Sequence, residues 1–365
     1  MTNRERILAI IKGRKPDRVP WFADLDYWYG AAARAGTLDD KYKGDGYFRL
    51  LRDLGAGFYL QGYMPFRVES DGVRFETAQS GNKTVTTMKT PKGDLTEVTQ
   101  WLPTSSSSGY VKHFVETSED LEAFQYYIEH MHHAPDYTEA ARRVDLVGDN
   151  GVVLCYTPRT PYMQMVTTYA GLTNFVYLLA DCPDETRRLL DLMITRFDEG
   201  ARLAVDSPAE FIMIPQNLSA EAVGLANYME FLRPFEKQWI GWIREAGKTS
   251  LIHMDGTLRG LLTEVARTGF DIIEAVTPAP AGDMTMEEIA GVVGGGAIVW
   301  GGLPGVMFTP KVTDREFDDH VIHTLDIMRE SPRYVLGVAD QVPPDGLLSR
   351  VARVAELCDA YGKYK

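Results

Sequence analysis

The segment TSLIHMDG (residues 249–256) shows the pattern on which the fold prediction rests. A short apolar run follows an amphipathic helical segment and ends in a histidine, an aspartate and a glycine. On a strand, Met254 points away from the face that His253 and Asp255 share. Gly256 lets the backbone turn sharply where the strand ends. An imidazole and a carboxylate in this arrangement suit a metal site, and the alternative is a core histidine beside a helix-capping aspartate.

Seven other short apolar runs occur along the chain, and segments with helical periodicity alternate with them. They cover residues 19–23, 57–61, 152–156, 211–215, 271–275, 297–301 and 334–338. Continuous apolar runs, in contrast to alternating ones, are what parallel strands covered on both faces require. Eight strands alternating with helices predict an α/β fold of the (β/α)8 TIM-barrel class, with an N-terminal helix before the first strand.

The interval between the second and third runs is too long for one crossover helix. Residues 68–98 alternate in polarity and contain turn sequences near residues 71, 81 and 92, so they predict a small β-rich insertion at about 66–103. Helices are expected at about 118–147, 183–205, 219–247, 256–268 and 346–361. Because no low-complexity linker divides the chain, we expect one barrel domain over residues 1–365 with this insertion.

The composition is that of an ordinary soluble protein, with 45% apolar and 24% charged residues among 365. We expect no membrane span and no signal peptide, because the apolar stretches are too short. Cys155, Cys182 and Cys358 are too widely spaced for a disulfide framework, which favours the cytoplasm. The net charge of -13 argues against nucleic acid, anionic lipid or a polyanionic substrate as a ligand.

Polar residues that follow the apolar runs are the candidates for an active site, because barrel sites lie at the C-terminal ends of the strands. In chain order they are Asp24, Asp26, Tyr27, Trp28, Tyr63, Tyr156, Arg159, Gln216, Asn217, His253, Asp255, Glu274 and Asp340. Several carboxylates and one histidine therefore converge on one rim, which favours a functional role for His253 and Asp255.

The other histidines are better explained as structural or surface residues. His130, His132 and His133 lie where a helix is expected to end before Pro135, and cationic residues are favourable at a helix C-terminus. His320 and His323 share a helix face with acidic residues, which is typical of a solvated surface.

Several segments resemble the uroporphyrinogen decarboxylase superfamily, which includes corrinoid-dependent methyltransferases. They are residues 2–8, 15–20, 90–95, 231–256 and 337–344. The resemblance implies a (β/α)8 barrel. True uroporphyrinogen decarboxylases carry an arginine-rich motif after the first strand to hold the porphyrinogen carboxylates. Here that place reads WFADLDYW (residues 21–28), whose acidic groups would repel such a substrate.

The chain is more similar to the methyltransferase branch that methylates thiols. In that branch a His-x-Cys pair and a later cysteine before Val-Pro-Pro hold zinc. The resemblance implies that His253, Asp255 and Asp340 are the corresponding ligands, with carboxylates in place of both thiolates. Oxygen ligands make zinc a harder Lewis acid, which suits an ether oxygen better than a thiol. Such mixed sites also suit iron or manganese.

The resemblance implies a zinc-dependent methyltransferase of the O-demethylase type. It would move a methyl group from an O-methyl donor, such as a methoxylated aromatic, to the corrinoid (cobalamin) of a partner protein. His253, Asp255 and Glu274 would be catalytic, with Glu274 as a fourth ligand or a general acid. Substrate would contact Asp24, Asp26, Tyr27, Trp28, Tyr63, Tyr156, Gln216 and Asn217.

Two alternatives remain open at this stage. The first is a metal-free decarboxylase or lyase in which Asp255 and Asp340 are the acid and base, with Arg159 facing a carboxylated substrate. The second is a corrinoid-related module without catalysis. The partners expected are a corrinoid-binding protein and a small methyl donor, and a homodimer is left open.

Overall fold

The protein, described by a computed structural model over residues 1–58 and 63–364, contains two compact units. The first, called the barrel unit, comprises Met1–Tyr63, Tyr137–Tyr156 and Ser207–Lys365; the second unit comprises Met64–Asp136 and Thr157–Asp206. The expectation of one domain with an insertion at about 66–103 stays a prediction. Residues 59–61 of the second predicted strand lie outside the described residues.

The strands and helices have the following bounds. The strands are β1 (Trp21–Ala23), β2 (Gly57–Phe58), β3 (Phe66–Ser70), β4 (Arg74–Ser80), β5 (Lys83–Thr90), β6 (Gly93–Leu102), β7 (Ser107–Lys112), β8 (Met131–Pro135), β9 (Leu154–Tyr156), β10 (Phe211–Ile214), β11 (Thr249–His253), β12 (Ile272–Val276), β13 (Ile298–Pro304) and β14 (Tyr334–Ala339). The α-helices are α1 (Asn3–Ile11), α2 (Asp26–Ala35), α3 (Gly46–Asp53), α4 (Leu121–His130), α5 (Thr138–Val147), α6 (Pro161–Gln164), α7 (Gly171–Asp181), α8 (Pro183–Asp206), α9 (Ala220–Val223), α10 (Leu225–Asn227), α11 (Arg233–Glu245), α12 (Leu262–Thr268), α13 (Met286–Val293), α14 (Asp314–Met328) and α15 (Leu348–Tyr361).

The barrel unit is built on one sheet of eight strands in the order β2-β1-β14-β13-β12-β11-β10-β9. Every neighbouring pair is parallel. A parallel bridge joins Phe58 of β2 to Gly151, just before β9, so the two ends of this order meet and the sheet curls round on itself as in a TIM barrel. The prediction of an α/β fold on eight parallel strands is confirmed.

Inward-facing side chains from the strands fill the interior of the barrel unit. Phe22, Leu154, Met213, Leu251 and Trp300 belong to one buried cluster, which is also contacted by Ile7 and Ile10 of α1. The strands are buried on both faces, which explains their continuous apolar sequences. A filled interior leaves the loops after the strands as the place for polar chemistry.

Some predicted helices differ from those observed. The helix expected over 219–247 is broken after α9 at Gly224, whose φ of 72° ends a helix, and again by a π-helical turn at Tyr228–Leu232. The helix expected from residue 256 begins at Leu262, because Gly256 and Gly260 both have positive φ. Local periodicity does not show these interruptions.

The second unit contains two antiparallel sheets and helices α4, α6, α7 and α8. Strands β4, β5, β6 and β7 form one sheet, and β3 pairs with β8 in the other. The expectation of helices throughout 118–147 was wrong at Met131–Pro135, because these residues complete a ladder with β3. Among the helices of the described residues, none is both long enough and apolar enough to cross a membrane.

Candidate functional site

Strained backbone marks one end of the barrel unit. The non-glycine residues with positive φ in the described chain are Ser106, Asn217, Ala275 and Asp340. Three of these lie at or just after the C-terminal ends of β10, β12 and β14. Each such conformation costs on the order of 1–3 kcal/mol and persists only where surrounding contacts impose it. The strain therefore concentrates at the rim where the sequence places its candidates.

A histidine–carboxylate pair lies at the centre of this rim. His253 and Glu274 are neighbours in the register of β11 and β12, and the His253 Nδ1 donates to Glu274 Oε2 over 2.6 Å. Both side chains are buried. The adjacent Met254 N–H donates to the Glu274 carbonyl, which ties the end of β11 to β12. The imidazole is thereby held in one orientation, with Nε2 available to a ligand.

The carboxylates around His253 favour its protonated form. Burial lowers the pKa of His253, but the charge and hydrogen bond of Glu274, with the charges of Asp255 and Asp340, outweigh it and raise the pKa to about 9. The Nε2 atom lies 4.0 Å from Asp255 Oδ1. The site is therefore electrostatically suited to a positive charge between His253 and the two aspartates.

Asp340 contributes a further carboxyl group directly after β14. Desolvation by the surrounding protein raises its pKa, and repulsion from Asp255 and Glu274 adds to this effect, whereas His253 opposes it. Its φ of 66° is unusual for a residue with a side chain. The backbone after β14 is therefore strained at Asp340, whose carboxyl group it holds at the rim.

Asp24 follows β1 and is almost fully buried, with 2% of its surface exposed. Its Oδ1 accepts the N–H of Asp26 over 2.9 Å. Its Oδ2 is buried and receives no hydrogen bond from the described residues. Burial, then repulsion from Asp26 and also from Asp340 and Glu274, raises the pKa of Asp24 well above its usual range. These interactions assign Asp24 to the same acidic group as Asp340 and Glu274.

Asp26, in contrast, has partners for its charge. Burial raises the pKa of Asp26, and this is opposed by a hydrogen bond from Tyr47 and by the positive charge of Arg143. The Tyr47 hydroxyl also accepts the Leu25 N–H over 3.2 Å. This network holds the start of α2 beside the end of β1.

Two of the predicted aromatic residues lie in the first turn of α2. Tyr27 and Trp28 are half-buried, and the indole of Trp28 donates to the Gly346 carbonyl over 3.0 Å. Its ring is thus held by the loop that leads to α15. Tyr63 is buried, and its carbonyl accepts the Tyr156 N–H over 2.9 Å. The guanidinium of Arg143 lies 4.9 Å from the centre of the Tyr63 ring.

Gln216 takes part in a buried polar network that sequence reasoning missed. Its Nε2 donates to Glu236 Oε1 over 2.8 Å, and the Tyr228 hydroxyl donates to Glu236 Oε2 over 2.9 Å. The Tyr228 hydroxyl also lies 2.7 Å from Thr268 Oγ1. One signal was present, because Glu236 interrupts the apolar face of its helix. Asn217, the next predicted residue, is exposed.

The remaining predicted residues are distributed elsewhere. Arg159 belongs to the second unit. In that unit the histidines have separate partners: His130 Nδ1 donates to the Tyr126 carbonyl over 2.8 Å, and His132 lies 3.3 Å from Glu69. In the barrel unit, His323 is exposed and lies 2.9 Å from Glu287. These contacts agree with a structural or surface role.

A metal ion would need several donor atoms arranged around one point. In the described part of the chain, no three His, Cys, Asp or Glu side chains are already assembled around one point. In a tetrahedral zinc site, donor atoms about 2.1 Å from the metal are about 3.4 Å apart. The 4.0 Å between His253 Nε2 and Asp255 Oδ1 is slightly longer. The nitrogen and carboxylate donors fit zinc chemically, and a metal at this site stays a prediction.

Comparison with known proteins assigns the family. A profile of the family Uroporphyrinogen decarboxylase (URO-D) matches residues 103–361, which is more than half of the chain. The protein therefore belongs to the URO-D family, as the sequence motifs predicted. A comparison with curated proteins found no match.

Solved structures show similarity in fold. A methyltransferase from Methanosarcina mazei superposes with a TM-score of 0.63 at 13% identity, and 99% of each chain is covered. A GH18 chitinase, ChiB, from the chitin utilization locus of Flavobacterium johnsoniae has a TM-score of 0.34 at 12% identity, covering 61% of this chain and 80% of that one. The second value is too low to carry an argument, and the first supports the fold.

Proposed function

We propose that this protein is a metal-dependent methyltransferase that moves a methyl group from the oxygen of an O-methyl donor to the corrinoid of a partner protein. The observation that carries the proposal is the pairing of His253 Nδ1 with Glu274, which leaves Nε2 directed toward Asp255. Membership of the URO-D family and the likeness in fold to a methyltransferase support the same reaction class.

His253, Asp255 and Asp340 would hold the metal, and Glu274 would orient the imidazole from behind. A carboxylate behind a ligating histidine fixes its tautomer and raises its basicity. When bound at this site, zinc supplies a Lewis acid that stabilises negative charge on a leaving oxygen. This arrangement assigns Glu274 a positioning role, in preference to that of a fourth ligand.

The charge and the aromatic residues of the rim restrict the substrate. Asp24 and Asp26 at the end of β1 repel anionic groups, so they disfavour a carboxylated substrate of the decarboxylase type. Tyr27 and Trp28 present half-buried rings close by in sequence, and the Trp28 ring is held in place by Gly346. Such rings suit stacking on a methoxylated aromatic donor.

The reaction can be tested without the partner protein by using free cob(I)alamin as the methyl acceptor. The methyl C–O bond breaks, its electron pair stays on the oxygen, and cob(I)alamin supplies the pair for the new cobalt–carbon bond. With 4-methoxybenzyl alcohol as donor and zinc added, we expect the absorption of cob(I)alamin to be replaced by that of methylcobalamin. A chelator should stop the reaction, and zinc should restore it.

Substitutions identify the residues responsible. His253→Ala should abolish both zinc binding and methyl transfer, whereas His323→Ala, at an exposed histidine, should change neither. Glu274→Gln should weaken zinc affinity by about 10–100-fold, since it removes the charge behind the ligand. Full activity after chelation, or release of carbon dioxide from 4-methoxybenzoate in place of methyl transfer, would refute the proposal.

A further inference from the structure

Asp24 has a buried oxygen atom whose hydrogen-bonding capacity is unused among the described residues. Its Oδ1 is occupied by the N–H of Asp26, but Oδ2 is buried and accepts nothing from them. Nearly all buried polar atoms in folded proteins have a hydrogen-bond partner, and one that does not calls for an explanation. Asp24 is only 2% exposed, so Oδ2 is not solvated in the way a surface carboxylate is.

The charge around Asp24 indicates what kind of partner is required. Asp340 and Glu274 are close enough to repel its negative charge. Glu274 and Asp340 act on Asp24, and the same two groups act with Asp255 on the imidazole of His253, so negative groups outnumber positive ones here. Burial and this excess of negative groups raise the pKa of Asp24, and a cation bound beside it would favour its ionised form.

The neighbouring carboxylate, Asp26, differs from Asp24 because positive and hydrogen-bonding groups act on it. Both carboxyl groups are close to the start of α2, yet Asp26 is compensated by Tyr47 and Arg143. The strongest influences on the pKa of Asp24 are burial, the acidic groups and the Asp26 backbone, and none of these is a cation. Tyr27 and Trp28, in the first turn of the same helix, add half-buried rings, and aromatic faces attract cations.

We propose that the Oδ2 atom of Asp24 binds a cationic group of the methyl donor, namely an alkylammonium at the end of the molecule away from its methoxy carbon. An ammonium N–H gives Oδ2 a charge-assisted hydrogen bond and offsets the remaining negative charge. The inference rests on the proposed function for the identity of the ligand as a methyl donor. It deepens that function by assigning the charge of the substrate.

Binding can be measured without any methyl acceptor, which separates this inference from the reaction itself. Three ligands of similar shape are titrated calorimetrically into the zinc-loaded protein at pH 7: 4-methoxybenzylamine, which is cationic, 4-methoxybenzyl alcohol, which is neutral, and 4-methoxybenzoate, which is anionic. We expect the amine to bind at least about tenfold more tightly than the alcohol, and the benzoate to bind most weakly.

Asp24→Asn is the informative variant, because its amide oxygen can still accept the Asp26 N–H while the charge is removed. It should reduce the preference for the amine over the alcohol to about threefold or less, in a protein whose melting temperature is at least that of the unaltered one. Asp53→Asn, at an exposed carboxylate of α3, should keep the full preference.

Distinct results overturn the inference or the proposed function. Equal binding of amine and alcohol by the unaltered protein refutes the cation site, even if Asp24→Asn fails to fold. A preference that survives in Asp24→Asn also refutes it. If Asp24→Asn slows methyl transfer from the neutral alcohol without changing the preference, Asp24 is a proton donor and the inference is wrong. Selective binding of the amine without methyl transfer would instead count against the proposed reaction alone.

Discussion

Replacing the buried Glu236 of α11 with glutamine should stabilise the protein above neutral pH. Glu236 is 0% exposed, and both carboxylate oxygens accept hydrogen bonds, from Gln216 and Tyr228. Burial raises the pKa of Glu236 to about 7, although these two hydrogen bonds oppose the change. Glutamine has nearly the same shape, and its side-chain oxygen can still accept from Gln216.

The magnitude follows from the difference between the native and unfolded states. Raising the pKa from 4.5 to about 7 corresponds to about 3 kcal/mol. The native state binds this proton more tightly, so the free energy of unfolding falls as pH rises from about 4.5 through about 7. Above that range the full cost of a buried charge is present. The variant has no such charge, so its advantage should be about 3 kcal/mol at pH 8 and about 1 kcal/mol or less at pH 5.

Urea denaturation of both proteins between pH 5 and pH 8 measures this difference. Glu245→Gln, at an exposed position of the same helix, is the matched control and should change the free energy of unfolding by less than about 0.5 kcal/mol at any pH. The reasoning fails if Glu236→Gln is less stable than the unaltered protein at pH 8. It also fails if the difference between the two proteins is the same at pH 5 and pH 8.

Two further predictions concern the backbone and the thiols. Gly301→Ala should destabilise the protein by about 3 kcal/mol, because φ is 147° and a Cβ would lie 2.5 Å from the Val276 carbonyl oxygen. Gly241 lies in α11 with open space around the position of a Cβ, so Gly241→Ala should instead stabilise the protein by about 0.5–1 kcal/mol. Urea titrations that give the same free energy of unfolding for both variants would contradict this prediction. Burial raises the pKa of the Cys155 and Cys358 thiols to about 12. At pH 8 both thiols should therefore resist a thiol reagent until urea is added. Rapid labelling of either thiol in the native protein would contradict this prediction.

The positions of the barrel strands along the chain were predictable because they depend on local composition. Each strand of the barrel unit is buried on both faces, so its sequence is continuously apolar and visible without knowledge of its neighbours. The same logic located Asp24, His253 and Asp340, since polar residues directly after such runs lie at the C-terminal rim. The break at Gly224 was missed because a helix interruption depends on backbone angles that periodicity does not report.

The eight strands, the family and the end of the barrel at which the chemistry should lie therefore follow from local sequence. The pairing of the candidate residues depends instead on the packing of distant segments. Glu274 accepts a hydrogen bond from Nδ1 of His253 because the register of β11 and β12 makes the two residues neighbours. The burial of Asp24, and the attachment of Gln216 to Glu236, depend on contacts between segments far apart in the chain. Local patterns indicate which face of a strand is buried, but the partner of a buried charge is set by whichever element packs against it.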